Sequence, residues 1–197
     1  MAKLYFKYGA MNCGKTALLL QAVHNYESRN MNVLVLKPLV DTKGGDTIVS
    51  RIGLSRKVDH LIKSDEDLYK YLKNITDISC IFVDEAQFLK REQVDELLRI
   101  VVDKNVPIIC YGLRADFNTN GFEGSIRLLE IAQSIEELKT ICDCGNKATF
   151  NARMVKGEFV FDGDQLAIDG EDEVTYESLC PKCYYKKRDN YFKKTRK

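Results

Sequence analysis

Eight residues near the start of the chain, Gly9-Ala10-Met11-Asn12-Cys13-Gly14-Lys15-Thr16, match the phosphate-binding pattern G-x-x-x-x-G-K-[ST] in full. Gly9 and Gly14 let the backbone curl until its N–H groups converge. Lys15 can then reach the outer phosphates, and the Thr16 hydroxyl can ligate Mg²⁺. The pattern needs a strand before it and a helix after it. Leu4 to Tyr8 reads as that strand, and Leu18, Leu19, Ala22, Val23 and Tyr26 mark one face of that helix. The loop then sits at a helix N-terminus, whose positive dipole end faces the phosphates. A bound nucleoside triphosphate is the first expectation.

The first two-thirds of the chain continue the alternation of strand and helix. Val33 to Leu36, Cys80 to Val83 and Val106 to Tyr111 are short, continuous apolar runs of the kind found in parallel strands buried on both faces. Between them, Ser64 to Asp67 reads as a capping box ahead of a helix through Leu68, Tyr71 and Leu72. Val94, Leu97, Leu98, Val101 and Val102 follow helical spacing, and Leu128, Leu129 and Ala132 belong to a further helix. Four strands with intervening helices predict an α/β fold, a phosphate-loop (RecA-like) parallel sheet with helices on both faces. A domain over residues 1–141 is expected.

The third strand ends in Asp84, which in a phosphate-loop protein holds Mg²⁺. Glu85, the next residue, points elsewhere and is free to accept a proton from an attacking hydroxyl or water as general base. Gly112 to Phe117 leaves the fourth strand at the edge where ligands collect in open α/β sheets. Arg114 in that loop reads as a solvated or paired cation. The polar segment Asp41 to Asp46 follows another strand end and reads equally as a surface loop or a functional one.

Seven cysteines fall into two groups. Cys13, Cys80 and Cys110 are isolated, whereas Cys142-Asp-Cys144 and Cys180-Pro-Lys-Cys183 are close pairs that can form a closed, structural Zn²⁺ site. The second pair has ordinary C-x₂-C spacing and the first is one residue tighter. Residues 142–185 are expected to form a small zinc-ribbon subdomain carrying a long loop, clamped at both ends like a lid. Its acids, Asp162 to Glu173, would repel a phosphate backbone, and a net charge of +1 gives no overall pull toward nucleic acid or membrane. Phe159 and Phe161 read equally as lid residues or as a satellite core. The basic run 186–197 is expected to be a solvated, partly disordered end. The opening residues lack the apolar run of a signal peptide and no later stretch is long enough to span a bilayer, so a cytoplasmic location is expected.

Gly9 to Thr16, Asp84-Glu85-Ala86-Gln87-Phe88, Gly112-Leu113 through Asp116-Phe117, and two cysteine pairs flanking a loop that ends in Tyr176-Glu-Ser-Leu-Cys180 together resemble the thymidine kinase family. The type meant is the zinc-containing one of human cytosol and many bacteria, and the likeness spans nearly the whole chain. It implies transfer of the ATP γ-phosphate to the 5′-hydroxyl of thymidine or deoxyuridine, in nucleotide salvage for DNA synthesis. It implies Glu85 as general base, Asp84 and Thr16 at Mg²⁺, and Asp84 and Gln87 joining Gly9 to Thr16 at ATP. Met11, Gln87, Phe88, Leu113, Phe117, Phe150, Asn151 and Tyr176 would lie around the nucleoside, under a loop that grips the base through main-chain groups. Lys43 stands where the family usually has an arginine and offers a point charge without the planar fork. The segment from Ile168 to Tyr176 is longer than the family's, which leaves the contacts of Gly170 unplaced. A homotetramer inhibited by dTTP is the family's usual form. Two other classes predict different behaviour. A motor-type ATPase would turn over ATP without nucleoside, and a zinc-ribbon binding module would show negligible turnover.

Overall fold

A computed structural model describes residues 1–40, 45–165 and 174–195. In chain order the amino-terminal part runs β1 (Leu4–Tyr8), α1 (Lys15–Glu27), β2 (Val33–Pro38), β3 (Thr47–Val49), β4 (Ser55–Lys57), β5 (His60–Ile62), α2 (Leu68–Leu72), β6 (Cys80–Val83), α3 (Arg91–Lys104), β7 (Ile108–Gly112), α4 (Glu123–Ile131) and β8 (Ser134–Glu137). A single 3₁₀ turn, Ala86–Phe88, follows β6. The carboxy-terminal part adds β9 (Thr140–Ile141), β10 (Lys147–Ala148), β11 (Phe150–Val155), β12 (Glu158–Val160), β13 (Val174–Leu179) and α5 (Pro181–Thr195).

Six strands form one parallel sheet in the order β5-β2-β6-β7-β1-β8. Alternate residues of a strand face opposite ways, and both faces here are apolar. Leu34, Leu36, Ile81 and Val83 pack with α2, α3 and α4 on one side. Val35, Cys80 and Phe82 pack with Leu19, Leu20 and Val23 of α1 on the other. That double burial is why these strands read as continuous apolar runs. It also explains Cys80 and Cys110, which are fully buried with their thiols pushed up by burial, Cys80 to about 12, and so serve as small core hydrophobes.

Three expectations are corrected. The sheet has six strands and not four, because the edge strands β5 and β8 are short and carry polar residues, so neither shows an apolar run. The cap of α2 is Asp67, whose side chain accepts a hydrogen bond from the Lys70 N–H at 2.7 Å, and Ser64 plays no part in it. The described part of the tail is helical, since α5 runs unbroken from Pro181 to Thr195. Tyr184 is buried against Phe150 and Phe161, and Tyr191 and Phe192 continue the apolar face. This satellite core takes Phe161 fully and Phe159 in part, which favours the packing reading of both residues.

The sheet and α4 meet at very close range. A Cβ on Gly124 would stand 2.7 Å from the carbonyl oxygens of Ala86 and Leu89, in the turn that follows β6. Backbone cannot yield as a flexible side chain can, so Gly124→Ala is expected to cost about 1–3 kcal/mol. Urea unfolding would show it as a lowered midpoint at unchanged slope, and an unchanged midpoint would mean that the turn gives way.

Candidate active site

The phosphate loop joins β1 to α1 at the carboxyl edge of the sheet, where both of its neighbours, β7 and β8, also end. Gly14 takes a φ of 82° and Asn12 a φ of 64°, left-handed values that turn successive N–H groups toward one side. Gly9 is required for room, because a Cβ there would lie 2.5 Å from the Cys13 Sγ and 2.6 Å from the Leu138 carbonyl oxygen. The Lys15 ammonium folds over the loop and donates to the carbonyls of Ala10 at 2.9 Å and Gly9 at 3.3 Å. It is thereby held across the loop's mouth, ready to exchange those acceptors for phosphate oxygens. Thr16 follows as the second residue of α1.

Asp84 leaves β6 on the adjacent strand end but one, and is 5% exposed. Burial, and secondarily the Glu85 charge, push its carboxyl up to about 7. A cation in front of it would restore the ionised form. Glu85 has a left-handed backbone, φ 51° and ψ 36°, at the entrance to the 3₁₀ turn. For a residue that is not glycine this is a strained geometry of the kind that clusters at functional sites. The Gln87 amide nitrogen donates to Glu85 Oε2, while its oxygen accepts from the Leu113 N–H at 3.0 Å. Gln87 thus fixes the carboxylate to the end of β7. The fit is close, since a Cβ on Gly112 would come within 2.8 Å of Gln87 Oε1.

Beside this pair opens a cleft of about 370 Å³, lined in part by Leu39, Val40, Gln87, Phe88, Phe122 and Gln165. Phe88 and Phe122 meet edge to face with ring centroids 5.6 Å apart. Leu113 and Phe117 are buried in the loop after β7. The carboxy-terminal ribbon of β11 and β13 packs over that loop, with Asn151 opposite Ser178 and Arg153 opposite Tyr176. Asn151 donates its amide to the Ala115 carbonyl at 3.0 Å. Arg153 was not foreseen. It is 5% exposed, its guanidinium carbon lies 3.7 Å from the centroid of the Phe117 ring, and its Nε donates to the Tyr176 hydroxyl at 3.2 Å. Its Nη2 donates to the Gln165 carbonyl at 3.0 Å, so one buried cation gathers the two described flanks of the long loop. The usable signal was period two, because Arg153 lies two residues after Asn151 on one face of a strand.

Phe150 precedes Asn151 in β11, and its ring lies tilted against Tyr184 with centroids 5.0 Å apart, beside the satellite core. Arg114 lies over the Tyr8 ring at 5.8 Å, a paired cation. Lys43, Ile168 and Gly170 lie outside the described residues.

The four paired cysteines come together, with all sulfur atoms within 4.8 Å of one another and Cys144 Sγ 3.5 Å from Cys180 Sγ. A tetrahedron of Zn–S bonds has edges of about 3.8 Å, close to this spacing. The tight C-x-C pair is accommodated by Gly145, whose φ of 83° closes a turn in which its N–H bonds the Cys142 carbonyl at 2.8 Å. Protons are unevenly held within the cluster. Hydrogen bonds from Asn146 lower the Cys144 thiol to about 6, and bonding to Cys144, Cys180 and Cys142 raises Cys183 to about 12. A cation among them would draw all four to thiolate. The set could hold a metal ion such as zinc.

A sequence profile of the thymidine kinase family matches residues 2–184. The chain belongs to the thymidine kinase family. The thymidine kinase of Enterobacteria phage T4 is 51% identical over 187 residues, covering 92% of this chain and 95% of its own. That of Streptococcus gordonii is 46% identical over 189 residues, 94% and 97% of the two chains, and that of Mannheimia succiniciproducens 45% over 185 residues, 91% and 93%. Membership in the thymidine kinase family makes the chain a kinase, a phosphotransferase. It agrees with a phosphate loop, an acidic strand end and a cleft lined in part by aromatic rings. No described helix is long and apolar enough to cross a membrane.

Proposed function

We propose that the chain transfers the γ-phosphate of ATP to the 5′-hydroxyl of thymidine, and of deoxyuridine, as a step of nucleotide salvage. One observation carries the reading: Glu85 is held by Gln87 between the phosphate loop's sheet edge and the aromatic cleft, where an acceptor hydroxyl would meet a donor phosphate. The Glu85 carboxylate takes the hydroxyl proton as the nucleophile attacks. The loop's N–H groups and Lys15 bind the triphosphate and hold it still, so that attack is effectively intramolecular.

Thr16 and Asp84 would hold Mg²⁺. A hydroxyl and a buried carboxylate whose protonation a cation reverses are the hard oxygen donors that this ion takes. When bound, Mg²⁺ would supply positive charge to neutralise the charge that develops on the transferring phosphate. The four thiols suit zinc better than a harder ion, and a closed set of four leaves no open position, so its part is structural. A thymidine triphosphate would satisfy the cleft with its base and the loop with its phosphates, which supports inhibition by dTTP.

A nucleoside panel tests the reading. With ATP and Mg²⁺, ADP release should require thymidine or deoxyuridine and stay at background with deoxycytidine, deoxyadenosine or no acceptor. Release that is equal with and without nucleoside would make the chain an ATPase.

A further inference from the structure

We propose that Asn151 and Ser178 are positioning residues for the phosphate donor, acting through the backbone of Met11. Asn151 Oδ1 accepts from the Met11 N–H at 2.7 Å, and the Ser178 hydroxyl donates to the Met11 carbonyl. Both partners are main-chain groups inside the phosphate loop. They are gripped by side chains that lie 140 and 167 residues further along the chain and face each other across the β11–β13 ribbon.

Peptide planarity gives this clamp its effect. The Met11 N–H belongs to the plane shared with Ala10, and the Met11 carbonyl to the plane shared with Asn12. Holding both groups stops rotation of the two planes that flank Met11. In a trans peptide the N–H of Asn12 is directed opposite to the Met11 carbonyl, so Ser178 also sets the aim of Asn12's N–H. Asn12 is the non-glycine residue at φ 64°, a conformation that persists only where its surroundings over-determine it. The Met11 N–H is already engaged, which leaves the phosphates to the N–H groups from Asn12 onward.

Asn151 is itself held in one orientation. Its oxygen faces a backbone donor and its nitrogen donates to the Ala115 carbonyl, so the amide cannot flip without losing both bonds. This places Asn151 at the donor side of the reaction, where the family likeness had set it beside the base. Ser178 stands two residues before Cys180, so the thiol cluster anchors the end of the strand that delivers its hydroxyl.

The proposal rests on the kinase reading only for the identity of the donor, and its test does not need turnover. The metal-loaded full chain is titrated calorimetrically with a non-hydrolysable ATP analogue and Mg²⁺, without nucleoside. Ser178→Ala should weaken binding about fivefold, the effect of one hydrogen bond, and Asn151→Ala about tenfold. Ser178→Thr keeps the hydroxyl and should restore binding to within about twofold. In turnover the KM for ATP should rise in Ser178→Ala, while the KM for thymidine stays within about twofold. Unchanged analogue affinity in Ser178→Ala and Asn151→Ala would overturn the clamp. So would a Ser178→Thr variant as weak as Ser178→Ala, or a rise confined to the KM for thymidine. A wild-type chain that binds the analogue but leaves thymidine untouched would sink the kinase reading, and the affinity ratios would still decide the clamp.

Discussion

Glu85→Gln should bind ATP and thymidine about as tightly as the parent chain and lose roughly 10²- to 10⁴-fold in kcat, the usual worth of a positioned general base. The substitution keeps the side chain's size and its capacity to accept the Gln87 amide hydrogen bond, so the left-handed backbone at residue 85 and the link to Leu113 stay in place. Only the charge that receives the proton is removed. Such a drop is about 3–5 kcal/mol of transition-state stabilisation. Binding measured beside single-turnover rates separates this outcome from a folding defect, because a defect would weaken both substrates. A variant with full turnover would move the base to another group and leave Glu85 as an electrostatic neighbour of Asp84.

The second large effect concerns the metal. One zinc ion per chain is expected, and stripping it with a chelator, or replacing a ligand by Cys180→Ser, should unfold the carboxy-terminal module and abolish turnover. Structural zinc contributes on the order of 10–16 kcal/mol to small domains, which exceeds the roughly 5–15 kcal/mol by which an ordinary domain is stable. The module has little else to resist with. Its core is a small cluster around Phe161 and Tyr184, with one six-residue strand pair and two shorter ones. Metal analysis beside limited proteolysis checks this. Protease resistance and activity that survive complete chelation would show that the thiols are bystanders.

Much of the site was legible because its chemistry is local in sequence. The phosphate loop needs eight consecutive residues, and the acidic pair needs one strand end. The central strands announced themselves because burial on both faces leaves no polar residues in them. The edge strands escaped notice because β5, His-Leu-Ile, is only three residues long and β8, Ser-Ile-Glu-Glu, is mostly polar. In the helical tail the dense basic charge masks Tyr184, Tyr191 and Phe192, whose spacing of seven and eight marks one helix face. Alternation puts Arg153 on the same strand face as Asn151, but the contacts of Arg153 and Ser178 were not legible. Their roles arise when two strands fall into register and meet a loop from the other end of the chain, and nothing in either strand records that meeting.

The grip of Ser178 on Met11 joins residues separated by 167 positions. A ribosome adding roughly 5–20 residues per second needs on the order of ten to thirty seconds to cover that interval. During this time the nascent chain already displays its phosphate-binding sequence in full. Its first strand also waits, because β1 pairs with β7 and β8, both made long after it. Full ATP affinity would therefore be among the last properties acquired in synthesis. Chains stalled before Ser178 lack this bond and should bind ATP at least about fivefold more weakly than the finished chain.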